Sequence, residues 1–329
     1  MYTDEEITIL TEIPYSLGTS AGALWKYLKQ RIKSILFALT RSPRYLPEGG
    51  VEAVLTSLRQ GLTELGISYR YNPRQGAVTN TVGVVSGPRT LAWALTQKRS
   101  GRIKTLIAGP NIVVAPTDEH NIIKNPLIDA VVIPSQWNKK WWCSFDQYFD
   151  SKGVVWPAGV ADHGASRDPN GVCLVYAKNI DEKFFQEIIK TLWNHNLGVV
   201  VSRYGQFHRH EYFHLLKKTK FMIYLSESES QGIALAEAWM ADVPTLVWNR
   251  GYFEYNGRRF EDETVGAPYL QPEAGLAFKD QNDFEFKLLE FLEKYNSFTP
   301  RQYALSHFTN SICARKYLNI IANAQSAEK

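Results

Sequence analysis

Short apolar runs alternate with stretches of helical apolar spacing along most of this chain, and the alternation occurs twice. In the first half the runs Ile67–Tyr71, Val82–Ser86, Lys104–Ala108, Ala130–Pro134 and Val154–Trp156 flank helical patterns at Val51–Leu65, Thr90–Lys98 and Gln136–Trp142. Strands separated by helices of about 10–15 residues join as βαβ units, and such units build a parallel sheet. Gly87-Pro88 and Gly109-Pro110 punctuate the ends of two runs, where α/β sheets present their ligand-facing loops. A turn-rich interval from Gly159 to Gly171, with Asp162, Gly164, Asp168, Pro169 and Asn170, reads as a linker.

The pattern then restarts. Val172–Tyr176, Gly198–Val201, Phe221–Leu225 and Thr245–Val247 have strand character, and Asp181–Trp193, Asp283–Tyr295 and Ser311–Ala324 have helical spacing. The expected fold is α/β, with two Rossmann-like doubly wound domains facing a cleft. Residues 1–162 form the first, 163–305 the second, and 306–329 a C-terminal helix that returns to the first. Clefts between domains are preferred sites for large ligands.

Composition removes several classes of function. The chain has 329 residues, 44% hydrophobic and 21% charged, which excludes a disordered protein. A net charge of +4 favours anionic ligands or surfaces but is too small to argue for nucleic acid. Cys143, Cys173 and Cys313 are odd in number and scattered, which argues against a disulfide framework or a cysteine-rich metal site. They fit a reducing, cytoplasmic setting. The N-terminus is acidic at Asp4, Glu5 and Glu6 and lacks a signal-peptide layout, and no run approaches the roughly 18 apolar residues of a membrane span.

The most informative segment is Glu229-Ser-Gln-Gly-Ile-Ala-Leu-Ala-Glu237. Gly232 marks the start of a helix, so the backbone N–H groups around Gly232, Ile233 and Ala234 are free to hold an anion such as a diphosphate. The flanking carboxylates, Glu229 and Glu237, repel phosphate but accept hydrogen bonds from hydroxyls. A nucleotide sugar, hydroxyl-rich at both ends and anionic in the middle, suits that arrangement.

With Ala238-Trp-Met-Ala-Asp-Val-Pro-Thr245 following it, this segment resembles the signature of retaining GT-B glycosyltransferases of the family 4 type. Val175-Tyr-Ala-Lys178 and Lys183 are similar to the family's strand-end segment, where an Arg and a Lys five residues on hold the donor diphosphate. Glu48-Gly49-Gly50 resembles the N-terminal glycine loop, Ile133-Pro-Ser135 a strand-Ser-helix step, and Val155-Trp-Pro-Ala-Gly-Val160 the turn into the second domain. The resemblance implies a hexosyltransferase-like enzyme of glycan or polysaccharide biosynthesis, with the acceptor bound by the first domain and the donor by the second. Lys178, Lys183 and Glu229 would be catalytic, and Gly232, Ile233, Ala234 and Glu237 would bind the donor. The acceptor would be a glycan, lipid or small molecule. No Asp-x-Asp occurs, so the implied route needs neither metal nor cofactor beyond the nucleotide sugar itself.

The chain also departs from the family. Lys178 stands where Arg is usual, Ser230-Gln231 where Gly-Phe is usual, and Gly109-Pro110-Asn111 where many members carry a His. Gly109 and Asn111 are taken as a cleft loop after the third strand. The departure keeps two alternatives in view: a catalytically weak GT-B subunit serving as a binding partner, and a sugar-nucleotide epimerase, against which the Glu-x7-Glu spacing argues.

Two other motifs compete. His210-Glu211-Tyr-Phe-His214 matches the zinc-peptidase pattern, yet it lies between two strands and beside Lys217, Lys218 and Lys220, so a surface helix is the expected reading. Arg203, His208 and Arg209 read with them as a solvated basic face. Leu24, Leu28, Ile32, Ile35, Leu36 and Leu39 share one helical face with Lys26, Lys29, Arg31 and Lys33 nearby, which makes residues 24–39 a candidate contact with the cytoplasmic face of a membrane.

Overall fold

Turn residues close the apolar runs of the first half, and helices join several of them, as suits strands that align in parallel. A computed structural model describes residues 6–13, 32, 35, 36, 39, 49–74 and 77–327. Of the amphipathic stretch 24–39, only Ile32, Ile35, Leu36 and Leu39 are among them, and the membrane contact expected there otherwise lies outside the described residues. Among the described residues no helix is long and apolar enough to cross a membrane. Among the described residues, one unit holds 6–13, 51–74, 77–159 and 310–327, and the other 32, 35, 36, 39, 49, 50 and 160–309.

The first unit holds strands β1 (Ile7–Leu10), β2 (Tyr69–Tyr71), β3 (Thr81–Ser86), β4 (Thr105–Asn111), β5 (Ala130–Ile133) and β6 (Gly153–Val155), in the order β2-β1-β3-β4-β5-β6. Every pairing is parallel. Helices α1 (Gly50–Glu64), α2 (Pro88–Arg99), α3 (Gln136–Cys143) and α4 (Tyr148–Lys152) connect them. Strand β1, fully buried, escapes the sequence reading because its four residues carry no flanking turn signal.

Gly109-Pro110-Asn111 requires a correction. These residues do not form a loop after the strand; β4 runs through them to Asn111, with Gly109–Pro110 in the cis form. Glycine is needed because φ is +115° and a side chain would fall on the carbonyl oxygen of Val132 in neighbouring β5. Close approach of two strands, rather than a turn, explains this glycine.

The second unit has a parallel sheet ordered β13-β10-β9-β7-β8. Its strands are β7 (Val172–Lys178), β8 (Val199–Arg203), β9 (Thr219–Ser226), β10 (Thr245–Trp248) and β13 (Gly275–Phe278). Helices α5 (Glu182–Asn194), α6 (Arg209–Leu216), α7 (Ile233–Met240), α8 (Gln281–Glu293) and α9 (Pro300–His307) belong to it. An antiparallel hairpin, β11 (Tyr252–Tyr255) and β12 (Arg258–Glu261), turns at Asn256-Gly257, both with positive φ. Asn-Gly between strands is a strong hairpin signal that the sequence reading missed.

The last helix, α10 (Asn310–Ala327), belongs to the first unit. Trp156, fully buried, donates from Nε1 to the carbonyl of Cys313 at 2.8 Å and meets the Tyr317 ring edge-on at 5.3 Å. Gly61 on α1 lets the helix start approach, since a side chain there would overlap the carbonyl of Asn310. Gly61→Ala would gain about 1 kcal/mol of helix propensity. It would lose about 3 kcal/mol to overpacking against a backbone that cannot rotate away. The expected outcome is a net destabilisation of about 2 kcal/mol, read as a lower urea midpoint at unchanged slope.

Candidate functional site

Strands β7 and β9 lie side by side in a register that places Tyr176 opposite Tyr224 and Lys178 opposite Ser226. Residues two apart on a strand share a face, so all four point to one side of the sheet near its carboxyl end. The rings of Tyr176 and Tyr224 stack at 4.8 Å and 8°. Tyr212 from α6 and Phe207 pack edge-on against Tyr176 at 5.8 and 5.9 Å.

Glu229, in the loop after β9, closes over this platform. Its backbone N–H donates to Val265 O at 2.8 Å, which fixes the loop. The residue is 7% exposed, and hydrogen-bond donors from both strands converge on one oxygen, Oε1. Tyr224 OH donates at 2.7 Å and Lys178 Nζ at 2.8 Å, and Ser226 Oγ, at 3.1 Å, shares its one proton with Ser228 O at 3.0 Å. Removing a carboxylate from water costs several kcal/mol unless charge and hydrogen bonds compensate, and this set supplies both. Lys178 Nζ also lies 5.2 Å from the ring centre of Tyr204.

Three residues beyond Glu229 the chain turns into α7. Gly232 occupies the left-handed region at φ 68° and ψ 42°, which any side chain would strain. No side chain caps this helix start, and its first turn, with Ile233 and Ala234, carries no acidic residue. The first N–H groups of such a helix suit an anion.

Glu237 lies one helical turn past Ile233, on the same face of α7. It is 5% exposed, and Arg209 of α6 donates to its Oε1 from both Nε, at 2.8 Å, and Nη2. The basic face expected around Arg203, His208 and Arg209 is therefore not simply solvated. Arg209 serves a buried carboxylate, and Arg203 forks onto Glu182 at 2.9 and 3.1 Å.

The structure joins Lys178 with Glu229 but leaves Lys183 exposed in the first turn of α5, next to Asp181, which caps that helix through Phe184 N at 2.9 Å. Gly49 and Gly50 lie at the start of α1 with open space where side chains would stand. Asn111 ends β4 with its Nδ2 buried and without a partner among the described residues. The peptidase-like motif falls on α6: Glu211 accepts from His208 N at 2.6 Å as a helix cap, His210 and His214 are exposed, and no group of three metal-ligating side chains occurs among the described residues.

Tyr204, Tyr224 and Ser226 were not singled out from sequence, and Arg209 was read only as part of a solvated basic face. A signal for two of these was present: Tyr224 and Ser226 are polar groups two apart at the end of the strand, matching Tyr176 and Lys178. Burial pushes the hydroxyls of Tyr176, Tyr212 and Tyr224 well above the ordinary tyrosine pKa, and Glu229 adds to the shift at Tyr176 and Tyr224. Unfolded tyrosine ionises near about pH 10. The folded state therefore keeps protons that the unfolded state loses, so this contribution to stability is full below about pH 10 and is lost as pH rises above it. In an absorbance titration at alkaline pH, these three tyrosinates should appear only together with the loss of circular dichroism. Their appearance in the native state would contradict the packing.

Solved structures share this architecture. The structure of AviGT4, a glycosyltransferase involved in avilamycin A biosynthesis, matches with a TM-score of 0.58 at 13% identity, over 98% of this chain and 99% of that one. The lipopolysaccharide outer core galactosyltransferase WaaB, in its apo form, gives 0.55 at 10% identity, over 97% and 99%. TarM gives 0.54 at 11% identity over 74% of this chain and 55% of TarM, so the chain spans about half of TarM's length. A second TarM structure, from S. aureus and in complex with UDP among other ligands, gives 0.50 at 12% identity over 74% and 56%. No protein-family model matches the sequence, and no curated protein matches it in sequence. The fold is GT-B, built of two Rossmann-like α/β domains with parallel sheets.

Proposed function

We propose that this protein is a glycosyltransferase of the family 4 kind, moving a hexose from a nucleoside-diphosphate sugar to a hydroxylated acceptor with retention at the anomeric carbon and without a metal. The observation that carries the reading is the pair of buried carboxylates, Glu229 and Glu237, each held by a basic side chain on either side of an uncapped helix start. The second unit binds the donor. The diphosphate lies at the start of α7, Glu229 accepts from the sugar hydroxyls and Glu237 from the ribose. The first unit takes the acceptor, a glycan, a lipid or a small molecule, as expected of an enzyme of glycan or polysaccharide biosynthesis. The UDP bound to TarM is in keeping with a nucleoside diphosphate as ligand.

In the transfer, the bond between the anomeric carbon and the diphosphate oxygen breaks and its electron pair leaves on that oxygen. A new bond forms from the anomeric carbon to an acceptor oxygen, whose proton passes to the released diphosphate. Lys178 and Lys183 stabilise the charge that grows on the leaving group, the kind of electrostatic contribution that usually dominates. Lys178 has three donors on one ammonium, so it can keep Glu229 and still serve a phosphate oxygen.

A nucleoside diphosphate at 100 times its Kd should stabilise the protein by about 2.7 kcal/mol, visible as a raised melting temperature in a panel of UDP, GDP and ADP. Lys178→Met and Glu229→Gln should each lower transfer by about 100-fold or more; Lys178→Met, which leaves a buried carboxylate unpaired, should also lower the melting temperature, so its rate is read below that temperature. The reading is abandoned if no nucleotide stabilises the wild type, or if both variants transfer sugar at the wild-type rate.

A further inference from the structure

Arg209 is separated from Glu237 by 28 positions, and nothing in the local sequence pairs them. The fold brings them together through α6. His208 and Glu211 cap the start of that helix, which fixes where Arg209, its first residue, stands. Tyr212, 1% exposed, bolts α6 to α7 by donating to Ala234 O at 2.7 Å, three positions before Glu237. The guanidinium lies 5.5 Å from the ring centre of Phe213, so its stem is held as well. Two of its nitrogens, Nε and Nη2, donate to the same oxygen of Glu237, which anchors Oε1 and limits the directions in which Oε2 can stand.

We propose that Arg209 is a positioning residue that sets the Glu237 carboxylate for the 2′ and 3′ hydroxyls of a ribose, and so makes the site select ribonucleotides over 2′-deoxyribonucleotides. The inference rests on the donor reading above. A carboxylate buried to 5% exposure has little water to turn to when a hydroxyl partner is missing, so its orientation decides whether the absent 2′ hydroxyl is penalised. Arg rather than Lys suits that task, because a planar fork commits to one geometry whereas an ammonium swivels. Arg209 acts through Glu237; it is not assigned to the reacting atoms.

The test uses titration calorimetry on the full chain with UDP, GDP and ADP, their 2′-deoxy counterparts, and inorganic pyrophosphate. The wild type should bind its preferred ribonucleoside diphosphate at least about tenfold more tightly than the deoxy form, the value of one hydrogen bond to a charged group. In Arg209→Met that ratio should collapse towards one while pyrophosphate affinity stays unchanged, and Arg209→Lys should fall between. If Arg209→Met does not fold, Arg209→Lys is read the same way, with a reduced ratio expected. An unchanged ratio in the variants overturns the inference, as does equal binding of ribo and deoxy forms by the wild type. A parallel loss for every ligand with the ratio preserved means that Arg209 is merely structural, and overturns it too. Failure of the wild type to bind any nucleotide removes the donor reading itself, a result distinct from the others.

Discussion

The pairing of β7 with β9 is the constraint on which the site depends. Tyr176 and Lys178 face the same way as Tyr224 and Ser226 only in the observed register, and a slip of one residue would send all of one strand's set to the opposite face. Two separate cores prevent that slip. Leu174, Tyr176, Met222 and Tyr224 pack with α6 and α7 on one side, while Val175, Ala177, Ile223 and Leu225 pack with α5 and α8 on the other. Both faces of the sheet are filled, so the register carries the full hydrophobic stabilisation of the unit. The hydroxyls and ammonium that hold Glu229 are positioned by the same interactions that fold the domain.

The two buried carboxylates are held differently, and the difference follows from the cation. Glu229 is served by a lysine together with two hydroxyls, all from strand ends. A lysine at 24% side-chain exposure is a compact charge with rotatable donors, able to share itself between a carboxylate and an arriving anion. Glu237 is served by an arginine that turns two of its nitrogens, Nε and Nη2, to it. On the proposed reading, the lysine would suit a place where charge develops during reaction and the arginine a place where geometry changes little.

Much of the fold was legible because parallel α/β units leave a strong period. Buried runs such as Ala130–Ile133 and helices such as Glu182–Asn194 have boundaries close to those expected. What escaped was what lacks a period. β1 is four residues long, and α4 and α9 are short helices without a long apolar repeat. Gly109 was misread because Gly-Pro is normally a strand stop, whereas here the approach of Val132 demands the glycine inside β4. Within the site, Glu229, Gly232 and Glu237 could be found from one contiguous segment, and Lys178 from resemblance. Arg209 could not, since its role is set by how α6 crosses α7, a relation that no local spacing records.

A difficulty remains in any site that puts carboxylates beside an anion-binding helix start: left bare, they would repel the anion and compete for the same donors. Ion pairs of the second unit would resolve it by pairing in advance. Glu182 carries Arg203, Glu227 faces Arg250 at 3.8 Å, Glu229 carries Lys178 and Glu237 carries Arg209. The first two pairs are largely exposed on the acidic side and contribute little to stability. The last two are buried on the acidic side, where an unpaired carboxylate would be costly, so their cations are fixtures of the folded state. On the proposed reading, an arriving diphosphate would meet carboxylates already paired and an uncapped helix start at Gly232. The helix end and Lys178 would supply the attraction, while Glu229 and Glu237 would keep their capacity to accept hydrogen bonds. Pairing these two acids with bases inside the fold is what would let hydroxyl and anion recognition share one surface.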